Sequence, residues 1–327
     1  MVLFVMPGVL EPYPLIVLCY ALVYSIACLS LNILFGTTGL LSLGHAVYFG
    51  AGAYTGAFLH TLVGMDSLEI YLLSGIVCAT ALAAVLGYFC VQASRMHFAI
   101  LTLAFTQIVN ASFVGGSFFR LFGSEGWFLY MLAGGSMYIP RLTMLGIEYE
   151  PSEFIAAFYN YIAGGFLVTV FVLRRIDLSP FGKALRAIRD NEIRAESIGI
   201  PVRRYRWLAF VISGLFMGLA GALYGQLNRQ ITPEQLGWLF SAILVLATVL
   251  GGVRQFAGPV IGAFAYAALD EFALHWAGTR NMVMGILLIA VVCIFPMGIA
   301  GTTVAVADHV KRLAKKRFQT RHQPPLQ

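Results

Sequence analysis

The stretch SPFGKALRAIRDNEIRAESIGIPVRRYRWLAF, Ser179 to Phe210, interrupts a chain that is otherwise mostly apolar. Between Arg174 and Arg206 stand nine Lys/Arg and four Asp/Glu. The segments on either side, 153–173 and 205–227, each reach the roughly 20 apolar residues that cross bilayer hydrocarbon. Ser179 and Pro180 form a helix start, with the Ser as N-cap and the Pro at the first helical position. Ala184, Ile188, Ala195 and Ile198 recur near helical spacing, while Lys183, Arg186, Arg189, Asp190, Arg194 and Glu196 fall mostly elsewhere. Gly199 then supplies a stop, and Arg203 to Trp207 mark re-entry into the membrane. The pattern predicts one short amphipathic helix over Phe181–Gly199, on a membrane surface between two spans. It can lie on anionic headgroups or dock a cytoplasmic partner. The interspersed Asp190, Glu192 and Glu196 weaken attraction to anionic lipid and favour docking.

Composition agrees with a membrane setting. The chain is 59% hydrophobic and 11% charged, with mean hydropathy +0.82, against roughly 25% charged in soluble domains. The spans are continuously apolar rather than alternating, which excludes a transmembrane barrel. The fold class is therefore all-α, a polytopic transmembrane helical bundle with a cytoplasmic coupling helix. Nine spans are predicted, near 12–35, 39–63, 68–91, 97–114, 153–173, 205–227, 236–253, 258–277 and 281–300. The second is Gly-rich and open to being broken or re-entrant. They make one membrane domain, 1–307, with the coupling helix at 179–199, an outer-face cap at 115–152 and a basic cytoplasmic tail at 308–327.

With the tail placed in the cytoplasm, alternation puts 17 of the 21 Lys/Arg on that side and leaves Arg120, Arg141, Arg229 and Arg280 opposite. The formal charge of +6 thus reports topology, not nucleic-acid binding. The N-terminus is expected outside, and its first fourteen residues lack the basic region of a cleavable signal. The five cysteines sit in or beside apolar spans without metal or redox spacing.

Polar residues inside the spans are candidates for a translocation route: Asn32, Thr38, Ser42 and His45 around the second span, and Thr102, Thr106, Gln107 and Asn110 on the fourth. Thr102, Thr106 and Asn110 share one helix face. Helix packing through hydroxyls and small residues is the alternative for each. Gly39, Gly44, Gly50, Gly52 and Gly262 are read as close-packing positions. His45 is ionisable within the membrane, and either couples protons or caps a helix break. Asp270 and Glu271 fall at the outer end of the eighth span. A membrane enzyme would need paired carboxylates, a Ser/His arrangement or metal ligands at depth, and none is present in the sequence. A secondary carrier or channel would place ion-coupling groups at mid-membrane, where only His45 comes near.

The segment GKALRAIRDNEIRAESIGIPVRRYRWLAFVISGLFMGLAGALYG (182–225) resembles the cytoplasmic coupling segment of permease subunits of ABC importers for branched-chain amino acids. The same family is matched by Asn32–Gly36, by Gly39–Ala46 continuing to Gly52–Thr55, by Phe98–Gln107, and by Gly251-Gly252 with Gly258–Ala263. Its Gly-Gly-Ser-Asp-Gly stretch is replaced here by Gly115-Gly116-Ser117 followed by Phe118, with only a loose echo at Gly123–Trp127. The resemblance implies transport of branched-chain or related amino acids across a bacterial inner membrane. Urea and short-amide permeases belong to the same family. It further implies a second homologous permease, cytoplasmic ABC ATPase subunits and a periplasmic substrate-binding protein. Gly182, Lys183, Ala184, Arg186, Ile188, Arg189, Asp190, Glu192 and Ala195 would then dock the ATPase. The sequence has no G-x-x-x-x-G-K-[ST] phosphate loop, so ATP and Mg²⁺ would be bound by that partner and this chain would carry no cofactor.

Overall fold

A computed structural model describes residues 6–8, 11–93, 95–121, 134–150, 153–274, 280–294 and 298–303. The apolar spans become helices: α1 (Pro12–Asn32), α2 (His45–Val63), α3 (Leu68–Cys90), α4 (Arg95–Val114) and α5 (Phe154–Leu178). The charged segment forms α6 (Pro180–Asp190) and α7 (Glu192–Ser197). There follow α8 (Val202–Asn228), α9 (Trp238–Gly251), α10 (Gly258–Leu274) and α11 (Arg280–Ile294). Five are long and apolar enough to cross a membrane: α1 with its extension to Thr38, α3, α4 from Met96, α5 and α8. Among the described residues the other four predicted spans hold α2, α9, α10 and α11, which are shorter or more polar.

α8 and α1 are the axis. α8 packs against α3, α2 and α1, and α1 against α10, α5 and α9. About two-thirds or more of α1 and α8 is buried, against less than a third of α3, α4 and α5. The outer helices turn apolar side chains outward, among them Leu73, Val77, Val85 and Phe89 on α3 and Met96, Ile100 and Ile108 on α4. Large apolar groups facing out over polar groups facing in suit lipid, not water.

Three glycines allow the central helices to touch backbone to backbone. A Cβ on Gly52 would land on the Gly218 carbonyl, one on Gly75 on the Gly52 carbonyl, and one on Gly218 on Ala79. α2, α3 and α8 thus meet where no side chain fits.

The second span departs from expectation. α1 ends in a π-helical turn, Ile33–Thr38, capped by Gly39 in the left-handed region (φ 72°). Residues 39–44 are non-helical and α2 starts only at His45. His45 meets Ser213, which lies about 16 Å along α8 at 1.5 Å per residue. The break is therefore deep, where irregular backbone survives only if protein satisfies it. Leu40 N–H donates to Leu34 O at 3.0 Å, Leu43 N–H to Thr102 Oγ1 at 3.3 Å, and Ala46 N–H to Ser241 Oγ at 2.8 Å.

The expected single helix over Phe181–Gly199 is two. Asn191 takes an extended conformation (φ −157°, ψ 109°), and its side chain accepts the Arg194 N–H at 2.9 Å. Asn competes for helix termini in this way. The start and stop stand as read: Ser179 caps α6 through the Gly182 N–H, Pro180 opens it, and Gly199 turns with φ 87°.

Of the cap expected at 115–152, residues 122–133 and 151–152 lie outside the described residues. The remainder has one helical turn, Ser117–Arg120, and β1 (Met137–Tyr138), which pairs antiparallel with β2 (Gln230–Ile231), Met137 opposite Ile231. Thr143 N–H donates to Asp66 O at 2.7 Å, and Glu69 accepts from Leu145 N–H and Tyr161 Oη. These bonds stitch 134–150 across the ends of α3 and α8, away from α6–α7. The expected tail, 308–327, lies outside the described residues.

Candidate coupling site and polar cluster

α6 and α7 lie across the ends of α1, α5 and α8, and each is tied by a charge. Arg186 donates to the Asp177 carboxylate at the end of α5, and to its carbonyl at 2.9 Å. Arg189 donates from Nη1 to the Gly36 carbonyl at 2.6 Å, in the π-turn of α1, and from Nε to Asp190 at 3.3 Å. Glu192 takes a two-pronged pair from Arg206 on α8, at 2.6 and 2.7 Å. The Arg206 side chain is only 3% exposed, so this paired charge is out of water. A planar guanidinium against a carboxylate fixes orientation as well as distance.

The faces of this segment are inverted relative to expectation. Ile188 and Ala195 are buried within the chain, Ala184 is half-buried, and Gly182 is pressed against the Ile176 and Asp177 carbonyls. The apolar stripe packs on the chain's own spans because α5 and α8 supply the nearest apolar surface. What remains outside is Lys183, Asp190, Ile193, Arg194, Glu196 and Ile198, with Ile193 and Ile198 78% and 71% exposed. Those two isoleucines, rather than Ile188, are the apolar surface on offer to a partner.

The predicted route residues divide. Ser42, His45, Thr102 and Thr106 come together, all buried. Ser213 Oγ donates to the Ser30 carbonyl at 2.6 Å, so it accepts from His45 Nε2–H at 2.8 Å. Ser42 Oγ accepts the Gly44 N–H and stands 2.8 Å from His45 Nδ1. Its own proton then completes the bond to Nδ1. This hydrogen-bond chain is satisfied by a neutral imidazole with hydrogen on Nε2, which links α2 to α8 and α1. It caps the helix break; nothing in it calls for a mobile proton.

Thr102 and Thr106 return their hydroxyl protons to α4's own carbonyls. Gly44 comes so close that a Cβ would meet Thr102 at 3.0 Å. Asn110 holds the Pro233 carbonyl at 2.8 Å. The shared face of Thr102, Thr106 and Asn110 is thus the seam against 39–44 and 233–236, while Gln107 is exposed on the other side. Thr38 bonds Leu34 O within the π-turn. Asn32 is buried, its Oδ1 without a partner, beside a cavity of about 70 Å³ also lined by Arg186, Arg189 and Arg254. Gly39 abuts Arg189, Gly50 abuts Leu236, and Gly262 abuts the Ala247 carbonyl, so each fills a close-packing place. Among the described residues no group of His, Cys, Asp and Glu could hold a metal ion. Asp177, Arg206, Ser213 and Ser30 were not singled out by the sequence. The excess of charge at Arg174–Arg206 was the only signal for Asp177 and Arg206, and it did not extend to Ser213 or Ser30.

The family model described as "Branched-chain amino acid transport system / permease component" matches residues 13–292. The chain belongs to this family. This permease is 26% identical over 303 residues to the high-affinity branched-chain amino acid transport system permease protein LivM of Escherichia coli (strain K12), covering 86% of this chain and 68% of LivM. It is 23% identical over 289 residues to LivH of Salmonella typhimurium, covering 85% of this chain and 91% of LivH. A similarity of 27% over 226 residues extends to the L-arabinose ABC transporter permease protein AraH of Azospirillum brasilense, covering 67% of this chain and 61% of AraH. No solved structure matches this permease. With five apolar helices of spanning length, it is a multi-pass membrane protein.

Proposed function

We propose that this permease forms the translocation path of an ATP-driven importer for branched-chain or closely related amino acids, working beside a second, homologous permease. Cytoplasmic ATPase subunits would bind ATP and Mg²⁺, and a periplasmic binding protein would deliver the substrate. The observation that carries this reading is the α6–α7 segment, whose Arg186, Arg189 and Glu192 each hold a different membrane helix while Ile193 and Ile198 face outward. A partner that moves this segment pulls on α5, α1 and α8 together. Similarity to both LivM and LivH, two permeases of like name, supports a paired assembly. The gathering of basic residues at the α6–α7 end favours a cytoplasmic location for it, with the N-terminus outside.

The test is co-expression with the ABC ATPase subunits and second permease that this reading requires. Ile193→Glu with Ile198→Glu should lower ATPase co-purification more than tenfold while the permease stays folded, as desolvated interface positions do. Undiminished co-purification together with normal leucine uptake would sink the docking surface.

A further inference from the structure

At the end opposite α6–α7, helices α1, α8 and α10 enclose a cavity of about 350 Å³, within the ~300–1,000 Å³ range of small-ligand sites. Its aromatic wall is Tyr20, Tyr24 and Tyr224. Tyr20 meets Tyr224 edge-on at 5.9 Å between centroids, Tyr24 lies 6.2 Å from Tyr224, and Tyr20 stacks on Tyr24 at 6.4 Å. Tyr266 backs Tyr24 edge-on at 5.6 Å, which holds that ring in place. Tyr20 Oη donates to Asn228 Oδ1 at 3.1 Å. Asp270 and Glu271 both line the cavity. Glu271 accepts from Tyr13 Oη, and a carboxylate has sites for several donors. Among the described residues no Lys or Arg lines it, and Ile16, Val17 and Leu274 supply apolar surface.

Ring faces and carboxylates attract the same kind of ligand. The π-face of a tyrosine is negative and draws cations, more so where water is excluded, and the carboxylates add full charge while repelling anions. The volume admits a small branched alkyl chain beside a cationic head. We propose that this cavity binds a primary ammonium bearing a short apolar chain, with the ammonium at Glu271 and Asp270 over the faces of Tyr20 and Tyr24. The chain lies on Ile16, Val17 and Leu274. As a station for the ammonium end of a delivered amino acid the site rests on the transport function proposed above; amine binding by itself does not.

The test uses purified full-length permease in nanodiscs and two halves of leucine: isoamylamine, which keeps the ammonium, and 4-methylpentanoate, which keeps the carboxylate. Titration calorimetry should show saturable binding of isoamylamine and none of 4-methylpentanoate at the same concentrations. Glu271→Gln should weaken amine binding by about tenfold or more, the effect of losing one strong contact. Tyr24→Leu should do likewise, and Tyr24→Phe, which keeps the ring, should stay near the parent. The tyrosine pair decides the matter if Glu271→Gln fails to fold. Equal binding of acid and amine, no binding of either by the parent, or unchanged amine binding in Glu271→Gln and Tyr24→Leu would each overturn the site. A complex that binds isoamylamine but imports no amino acid would refute the transport reading and leave this site standing. Import that survives loss of amine binding in Glu271→Gln or Tyr24→Leu would leave the transport reading standing and refute the cavity's role as a station on the route.

Discussion

The two ends of this bundle use polar residues in opposite ways. At the α6–α7 end the charges are spent on one another or on backbone: Arg186 on Asp177, Arg189 on Gly36, Glu192 on Arg206. The cavity among them is about 70 Å³. At the other end Tyr20 and Glu271 bond to Asn228 and Tyr13, yet with Tyr24 and Asp270 they stand around a space five times larger. A closed lattice of charge-assisted bonds carries displacement, because moving one member moves its partner. An open aromatic cavity accommodates a guest and carries little. The comparison teaches that the charge lattice and the aromatic cavity lie at opposite ends of the membrane domain, with the glycine-packed helices between them.

The sharpest way to break this division is to disrupt what separates the ends. Gly52→Leu or Gly218→Leu drives a side chain into a neighbouring backbone that has no rotamer to retreat to. The loss should exceed the ~1–3 kcal/mol of ordinary overpacking, and fluorescence-detected size exclusion should find little monodisperse protein. A sharp normal peak from both variants would contradict the close approach.

Next in size is the buried pair. Glu192→Gln leaves Arg206 charged and out of water. Glu192 itself is 37% exposed, so the expected cost is about 2–3 kcal/mol, below the ~3–5 of a fully buried pair. The thermal midpoint should fall accordingly, and Glu192→Leu with Arg206→Met should regain most of it. If the double variant is no better than the single, the pair is not the cause.

Arg189→Ala sharpens the same comparison without touching the outward surface. It removes the bond to the Gly36 carbonyl while Ile193 and Ile198 remain. The ATPase should still co-purify, yet substrate-stimulated hydrolysis should lose most of its link to uptake. Loss of ATPase binding instead would place Arg189 in the partner interface.

His45→Asn should be milder. It gives up part of a satisfied network, worth on the order of 1 kcal/mol per hydrogen bond, and the pH profile of uptake should keep its shape. A shifted profile would restore a proton-coupling role. Smallest of all, Gln107→Ala changes an exposed position and should stay within about 0.5 kcal/mol of the parent, with uptake unaltered.

The sequence was most legible where chemistry is local. Ser179, Pro180 and Gly199 act on backbone groups within three residues, so the bounds of the charged segment could be read directly. Asn191 is local too, but the helical pattern continues through it and hides the break. Non-local links left fainter marks. Glu192 and Arg206 are 14 residues apart, and their meeting depends on how α7 folds back on α8. Arg189 and Gly36 are 153 residues apart, and the acceptor is a main-chain carbonyl with no side-chain signature. Periodicity told that Thr102, Thr106 and Asn110 share a face; only the fold tells that the face closes on the 39–44 segment. The direction of Ile188 and Ala195 failed for a similar reason. An apolar stripe says that something covers it, and the chain's own spans were nearer than any partner.

The contact of Gly52, Gly75 and Gly218 has a mechanical consequence. Parting these helices by as little as half to one ångström forfeits about a quarter to a half of each dispersion contact, and no flexible side chain is there to follow the gap, only backbone and alanine methyls. Sliding them drives a carbonyl into the next backbone. α2, α3 and α8 therefore behave as a single block whose internal spacings stay constant. The compliance has to lie outside it, in α1 with its π-turn and in the α5, α9 and α10 helices that lean on α1. A pull on Glu192 and Arg206 would turn the block as one body, and the change of angle would be taken up against those outer helices.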